Sequence, residues 1–260
     1  MLDLYNYPLL LVFVVGLAVI LAVSEIGWQL GMRGDGRGGG NLTTLESAML
    51  GLLALMIAFT FSMALSRFEA RRDAVLNEAN SIGTTALRAR LLPEPNRTET
   101  LKLLQEYVQI RLDIVQSGTS LVERMAAVDR SNALQQALWQ QAKAVAANDK
   151  GLIPTGLFIA SLNVMIDDQG KRLAALRSRV PNIVLLALFA IAAVAGGFAG
   201  YTSGLEAKRT RLPVYVMGLL ISGVIYLILD LDRPSSGFIT NNQQAMIDTA
   251  ATIAAFPELK

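Results

Sequence analysis

The chain has 260 residues, 53% hydrophobic and 17% charged, with a formal net charge of +2 and a mean hydropathy of +0.43. That mixture is too apolar for an ordinary soluble domain and too weakly basic to favour nucleic acid. Neither cysteine nor histidine occurs, which excludes disulfides, thiol nucleophiles, histidine bases, Ser-His-Asp triads and Cys/His zinc sites.

The apolar residues fall in blocks, and a helix needs about 20 of them in a row to cross a hydrocarbon core of ~30 Å. The first block runs from about Leu9 to Leu30. It lacks the basic leader and small-residue cleavage site of a secretory signal and reads as a retained membrane helix. Glu25 lies inside it, close to Trp28 and Gln29. An ionisable residue in a span is a candidate for ion coupling, but this position favours an interfacial glutamate. The glycine-rich stretch Gly31 to Asn41 then predicts a flexible turn.

The second block covers about Leu45 to Leu65 and follows the helix-start pattern Thr43-Thr44-Leu45-Glu46. No proline appears from there until Pro93. The pattern predicts one helix of about 47 residues, ~70 Å long, that leaves the membrane, with Gly83 as its weakest point.

Between Pro93 and Pro181 the composition is that of a soluble helical domain. Leu101, Leu104, Val108, Leu112 and Val115 mark an amphipathic helix expected to start at Asn96, with Glu99 completing a capping box. A second helix is expected from Ser120, with Glu123, to about Ala147, and a third after Pro154 through Leu176. No strand alternation and no fixed-length repeat is visible.

The third and fourth apolar blocks, about Pro181 to Tyr201 and Leu212 to Leu231, are joined by a connection short enough to force an antiparallel pair. Ala192, Gly196, Gly200 and Gly204 recur every fourth residue, a small-residue face for close helix packing, with the fourth span as the expected partner. Past Pro234 the chain is polar, then weakly amphipathic through Ala245, Ile247, Ala250 and Ile253. That segment fits either an interfacial tail or a helix docked on the extramembrane domain.

The expected fold is therefore an all-α membrane protein. Four transmembrane helices form two pairs, 1–66 and 181–232, around an extramembrane helical domain at 67–180, with a tail at 233–260. An even number of spans puts both termini and the central domain on one side. Arg67, Arg71, Arg72, Lys171, Arg172, Arg177 and Arg179 near that domain's membrane ends favour the cytoplasm, while Arg33, Arg37, Lys208, Arg209 and Arg211 oppose them in the other loops.

Leu55 and Phe59 stand one turn apart in the second span and suit an apolar constriction around an axis, since hydrophobic rings gate ions by dewetting. Ser62 and Ser66 continue that face with hydroxyls. Asn77, Ser81, Thr84 and Arg88 then mark a polar stripe suited to a wet vestibule. The competing reading has the apolar residues packing against neighbouring spans and the stripe as a solvated face. At the end of the last span, Asp230 and Asp232, followed by Arg233 and Pro234, offer oxygens for a cation such as calcium. Two carboxylates are few for that, and a bridge to Arg67 or Arg71 is the preferred expectation.

The stretch Leu52 to Arg72 resembles the end of the second transmembrane helix of bacterial bestrophins, pentameric anion channels. Phe59, Ala64, Arg67 and the triplet Glu69-Ala70-Arg71 stand in the places of that pattern, with one residue missing before the triplet. NEANSIGTTALRARLLPEP and DLDRPSSG, the latter containing Asp230, Asp232, Arg233 and Pro234, are closer to a bacterial family described as bestrophin-like. The paired tryptophans of true bestrophins after Arg67 are absent, and Ser235 replaces the phenylalanine expected after Asp-Arg-Pro. The resemblance implies a bestrophin-like homo-oligomer, a pentamer in those channels, in lipid at a bacterial inner membrane. It also implies anions such as chloride as permeants, with no cofactor, no metal and no enzymatic activity. A non-conducting scaffold or sensor whose helical domain binds a partner is the alternative.

Overall fold

A computed structural model describes residues 3–34, 39–113, 121–148, 153–205, 211–234 and 237–259. Every regular element in it is helical: α1 (Leu9–Met32), α2 (Gly39–Ala89), α3 (Asn96–Asp113), α4 (Leu121–Asn148), α5 (Ile153–Arg177), α6 (Asn182–Leu205), α7 (Leu212–Asp232) and α8 (Gln244–Ala254), with short 3-10 turns at Leu4–Asn6 and Pro257–Leu259. Among the described residues, four helical stretches are long and apolar enough to cross a membrane, and the protein is an integral membrane protein. Positions 35–38 of the glycine-rich turn, and Val115, Ser120, Lys208, Arg209 and Ser235, lie outside the described residues.

The chain divides into two compact units, Met1–Phe68 with Arg179–Ile239, and Glu69–Ser178 with Thr240–Lys260. The segment 233–260 is thus shared between them. α2 contributes to both and runs unbroken through Gly83, where a side chain would meet only the Thr249 methyl at 3.8 Å. It also starts at Gly39, ahead of the expected Thr43 pattern. Glu46 accepts a hydrogen bond from the Thr202 hydroxyl of α6 at 2.7 Å.

In the first unit the closest helix pair is α1 with α6. The small-residue face of α6 does pack, but against α1, where the expectation had been the fourth span. A methyl group on Gly200 would run into the Ser24 carbonyl, and one on Gly204 into the Trp28 carbonyl. α1 supplies the complement: a methyl on Gly27 or Gly31 would strike the Gly197 or Tyr201 carbonyl of α6. Two backbones approach this closely only where neither helix carries a Cβ at the crossing. Ala192 is fully buried nearby, and a Cβ on Gly196 would sit 2.7 Å from the Ser24 Oγ. α7 packs on both α1 and α6.

The second unit is a helical domain with its own core, in which Ile82, Leu101, Leu104, Leu138, Phe158, Leu162 and Met165 are fully buried. α8 docks there rather than lying free as a tail. Met246 and Ile253 are buried against that core, whereas Ile247 points outward. Thr249 donates to the Ala79 carbonyl at 3.3 Å, and Arg90 pairs with Glu258 at 2.9 Å while covering the Phe256 ring.

The start of α3 corrects the expected capping box. The Asn96 side chain donates to Gln141 of α4 at 2.8 Å, and Glu94 caps instead, accepting from the Thr98 amide at 3.3 Å and the Thr98 hydroxyl at 3.0 Å. A carboxylate reaching the free N–H groups of a first turn does the same electrostatic work as an Asn cap.

Candidate functional site

The membrane part of α2 carries Leu55, Phe59, Ser62 and Ser66 at four- and three-residue steps, which places them on one face. All four are exposed in the single chain, Leu55 by 51% and Phe59 by 62%. The opposite side is buried through Leu53, Thr60 and Ala64. Thr60 satisfies its hydroxyl on the Met56 carbonyl at 2.7 Å. The span therefore packs by one face and leaves the aromatic and serine face open.

In the second unit, Asn77, Ser81, Thr84 and Arg88 gather along one wall of a cavity of about 450 Å3. α5 forms the facing wall with Ser161, Val164, Asp168 and Lys171, and Asn80 completes the lining. Lys171 lies 2.8 Å from the buried carboxylate of Asp168, which holds the ammonium above the usual lysine range. One arm of Arg88 donates to the Leu157 carbonyl at 2.9 Å. The residues contributed by α5 were not anticipated. Leu157, Ser161, Val164, Asp168 and Lys171 follow helical spacing on one face, which was the available signal.

A buried charge cluster was also missed. Glu78 is fully buried between Arg111, at 2.7 and 3.3 Å, and Arg172, at 2.6 Å. The Tyr107 hydroxyl stands 3.4 Å from Glu78 and 3.2 Å from Gln169 and donates to one of them. Gln135 donates to the Tyr107 oxygen at 3.3 Å, and Arg172 reaches Gln243, just before α8, at 3.1 Å. Burial, reinforced by the Glu78 carboxylate, pushes the Tyr107 hydroxyl well above its ordinary range. Arg71 is buried too, whereas Arg67 is half-buried and Glu69 exposed.

At the other end of the chain's motifs, Asp232 accepts from the Tyr5 hydroxyl and from the Val180 amide, the latter at 2.8 Å. Asp230 accepts from the amides of Phe238 and Ile239 at 3.0 and 3.1 Å. Gly237 has φ +143, and a Cβ there would collide with the Asp230 carboxylate. Arg233 donates to the carbonyls of Leu4 and Tyr7 at 3.1 and 2.8 Å, and Pro234 follows the end of α7. Asp232 thus fastens the start of α6 and the end of α7 to Tyr5, Arg233 ties the end of α7 to Leu4 and Tyr7, and Asp230 holds the segment after α7. Burial and Asp232 raise the Tyr5 hydroxyl far above its ordinary range.

Glu25 accepts from the Tyr215 hydroxyl at 2.5 Å and from Gln29 at 3.2 Å, and pairs with Arg211 at 3.4 Å. The Arg211 guanidinium lies 3.6 Å from the centre of the Trp28 ring. These contacts tie α1 to the start of α7, as suits an interfacial glutamate.

A family model described as a bestrophin-like domain matches residues 43–246. A bacterial bestrophin homologue from Klebsiella pneumoniae carrying a point mutation superposes with a TM-score of 0.70 at 14% identity, over 95% of this chain and 96% of that one. A zinc-phased structure of the homologue from the same organism gives 0.64 at 13% identity, over 95% and 96%. A structure described only as a membrane protein variant gives 0.69 at 14% identity, over 93% and 97%. No curated protein matches the chain in sequence. At such identities the structural likeness is one of fold.

Proposed function

Because the chain belongs to the bestrophin-like family, we propose that it assembles into a homo-oligomeric membrane channel, with α2 of each subunit lining the pore and small anions such as chloride as permeants. The observation that carries this reading is the open face of α2, where Leu55 and Phe59 are followed by Ser62 and Ser66. Two successive hydroxyls on an unpartnered span face are poorly suited to lipid, where a polar group has no water to bond. They suit a face turned to an aqueous path, with Leu55 and Phe59 as its dewetting constriction.

In the second unit, Asn77, Ser81, Thr84 and Arg88 continue as a hydrated lining, and the arginine favours anions there. A five-fold assembly follows the channels that the chain resembles. For the orientation, the basic residues at the membrane ends of the central domain support a bacterial inner-membrane protein with that domain in the cytoplasm, against the opposing basic residues of the other loops.

Chloride flux from liposomes tests this. The native chain should release chloride above empty liposomes, and Phe59→Ala, by opening the constriction, should raise the rate severalfold. If neither passes chloride above empty liposomes, the channel reading fails, and a scaffold or sensor role takes its place.

A further inference from the structure

The cavity between α2 and α5 has an unequal charge balance. Arg88 and Lys171 bring two positive charges to its lining and Asp168 one negative, leaving a net charge of +1. The Lys171 charge is countered directly by Asp168 at 2.8 Å, so the unbalanced cation is Arg88. Its guanidinium is anchored by one arm to the Leu157 carbonyl, and a guanidinium carries five N–H donors. The head is thus held at the wall with most of its fork free.

Around it, Asn77, Asn80 and Thr84 have no hydrogen-bond partner among the described residues, although all three line the cavity. The site is therefore rich in solvent-facing donors and net positive, with Arg88 anchored at its wall. A spherical halide gains little from a planar fork and amide groups, whereas a carboxylate matches them two bonds at a time. A volume of about 450 Å3 exceeds what a single ion or water would occupy.

We infer that this cavity binds a small organic carboxylate, that Arg88 makes the charge-assisted contact, and that Asp168 limits the affinity by neutralising Lys171. Asn77, Thr84 and Arg88 are also residues of the hydrated lining proposed above, so a bound carboxylate would sit beside that path. Binding is read on the solubilised chain, so loss of ion flux leaves this inference standing, and loss of binding leaves the channel reading standing.

Titration calorimetry on the full chain in detergent, at constant ionic strength, tests it with acetate, inorganic phosphate and chloride. Acetate should bind saturably, and more tightly than phosphate or chloride. Arg88→Gln should weaken acetate at least about tenfold, whereas Asp168→Asn, which frees Lys171, should tighten it severalfold. Opposite signs from two neutralising substitutions cannot come from damage to the fold, which helical circular dichroism checks in parallel. If Asp168→Asn does not fold, Lys171→Gln serves in its place and should weaken acetate by leaving Asp168 uncompensated. Absence of saturable acetate binding, affinities unmoved by these substitutions, or phosphate or chloride binding as tightly as acetate would each overturn the assignment.

Discussion

Glu78 holds two arginines inside the second unit with no access to water. Its charge is smaller than theirs combined, so it is the member whose loss matters most. A carboxylate removed from a buried pair leaves the partner charged and desolvated, at a cost of roughly 3–5 kcal/mol. Glu78→Gln should therefore lower the unfolding free energy of this unit by about that amount, measured by denaturant unfolding in detergent. A change below about 1 kcal/mol would mean that the arginines find other solvation. Little of this cluster was legible in the sequence, because Arg111 and Arg172 lie 33 and 94 positions from Glu78. The one local hint was a charged residue within the apolar stripe of Ala74, Val75, Ala79 and Ile82, all of which are buried. Phe59 was easier to read, since its place on a face with Ser62 and Ser66 follows from helical spacing alone.

Among the elements, the α1 and α6 seam shows how far spacing can go. The four-residue repeat of small residues in α6 announced close packing, but a repeat on one helix does not say which helix complements it. The short connection to α7 pointed to the wrong neighbour. The better signal was in α1, where Gly27 and Gly31 stand four residues apart and present a matching seam. Gly200→Ala should destabilise the first unit by roughly 1–3 kcal/mol, because the new methyl meets backbone that cannot rotate away. Gly223→Ala in α7 has open space and should leave thermal unfolding in detergent nearly unchanged. Equal effects of the two would deny the seam its role. The docking of α8 was half legible: its apolar residues suggested a buried face, but the weak pattern did not distinguish a membrane surface from the core that Met246 and Ile253 enter.

For the whole molecule, two units share one uninterrupted helix. Span number and the helical character of the central domain were readable because both rest on local hydropathy. The closing of the last residues onto the second unit was one of two open readings, because the choice depends on long-range contacts such as Arg172 with Gln243. The central claim is that the exposed face of α2 borders the ion path. The chain has no cysteine of its own, so single cysteines can be placed without background. The most direct measurement is chloride flux through reconstituted Phe59→Cys and Ser62→Cys before and after a charged, membrane-impermeant thiol reagent, with Leu219→Cys on the exposed side of α7 as control. The account predicts that modification changes flux severalfold at Phe59 and Ser62 and leaves it unchanged at Leu219. Flux altered only at Leu219, or conducting protein indifferent to modification at both α2 positions, would contradict it.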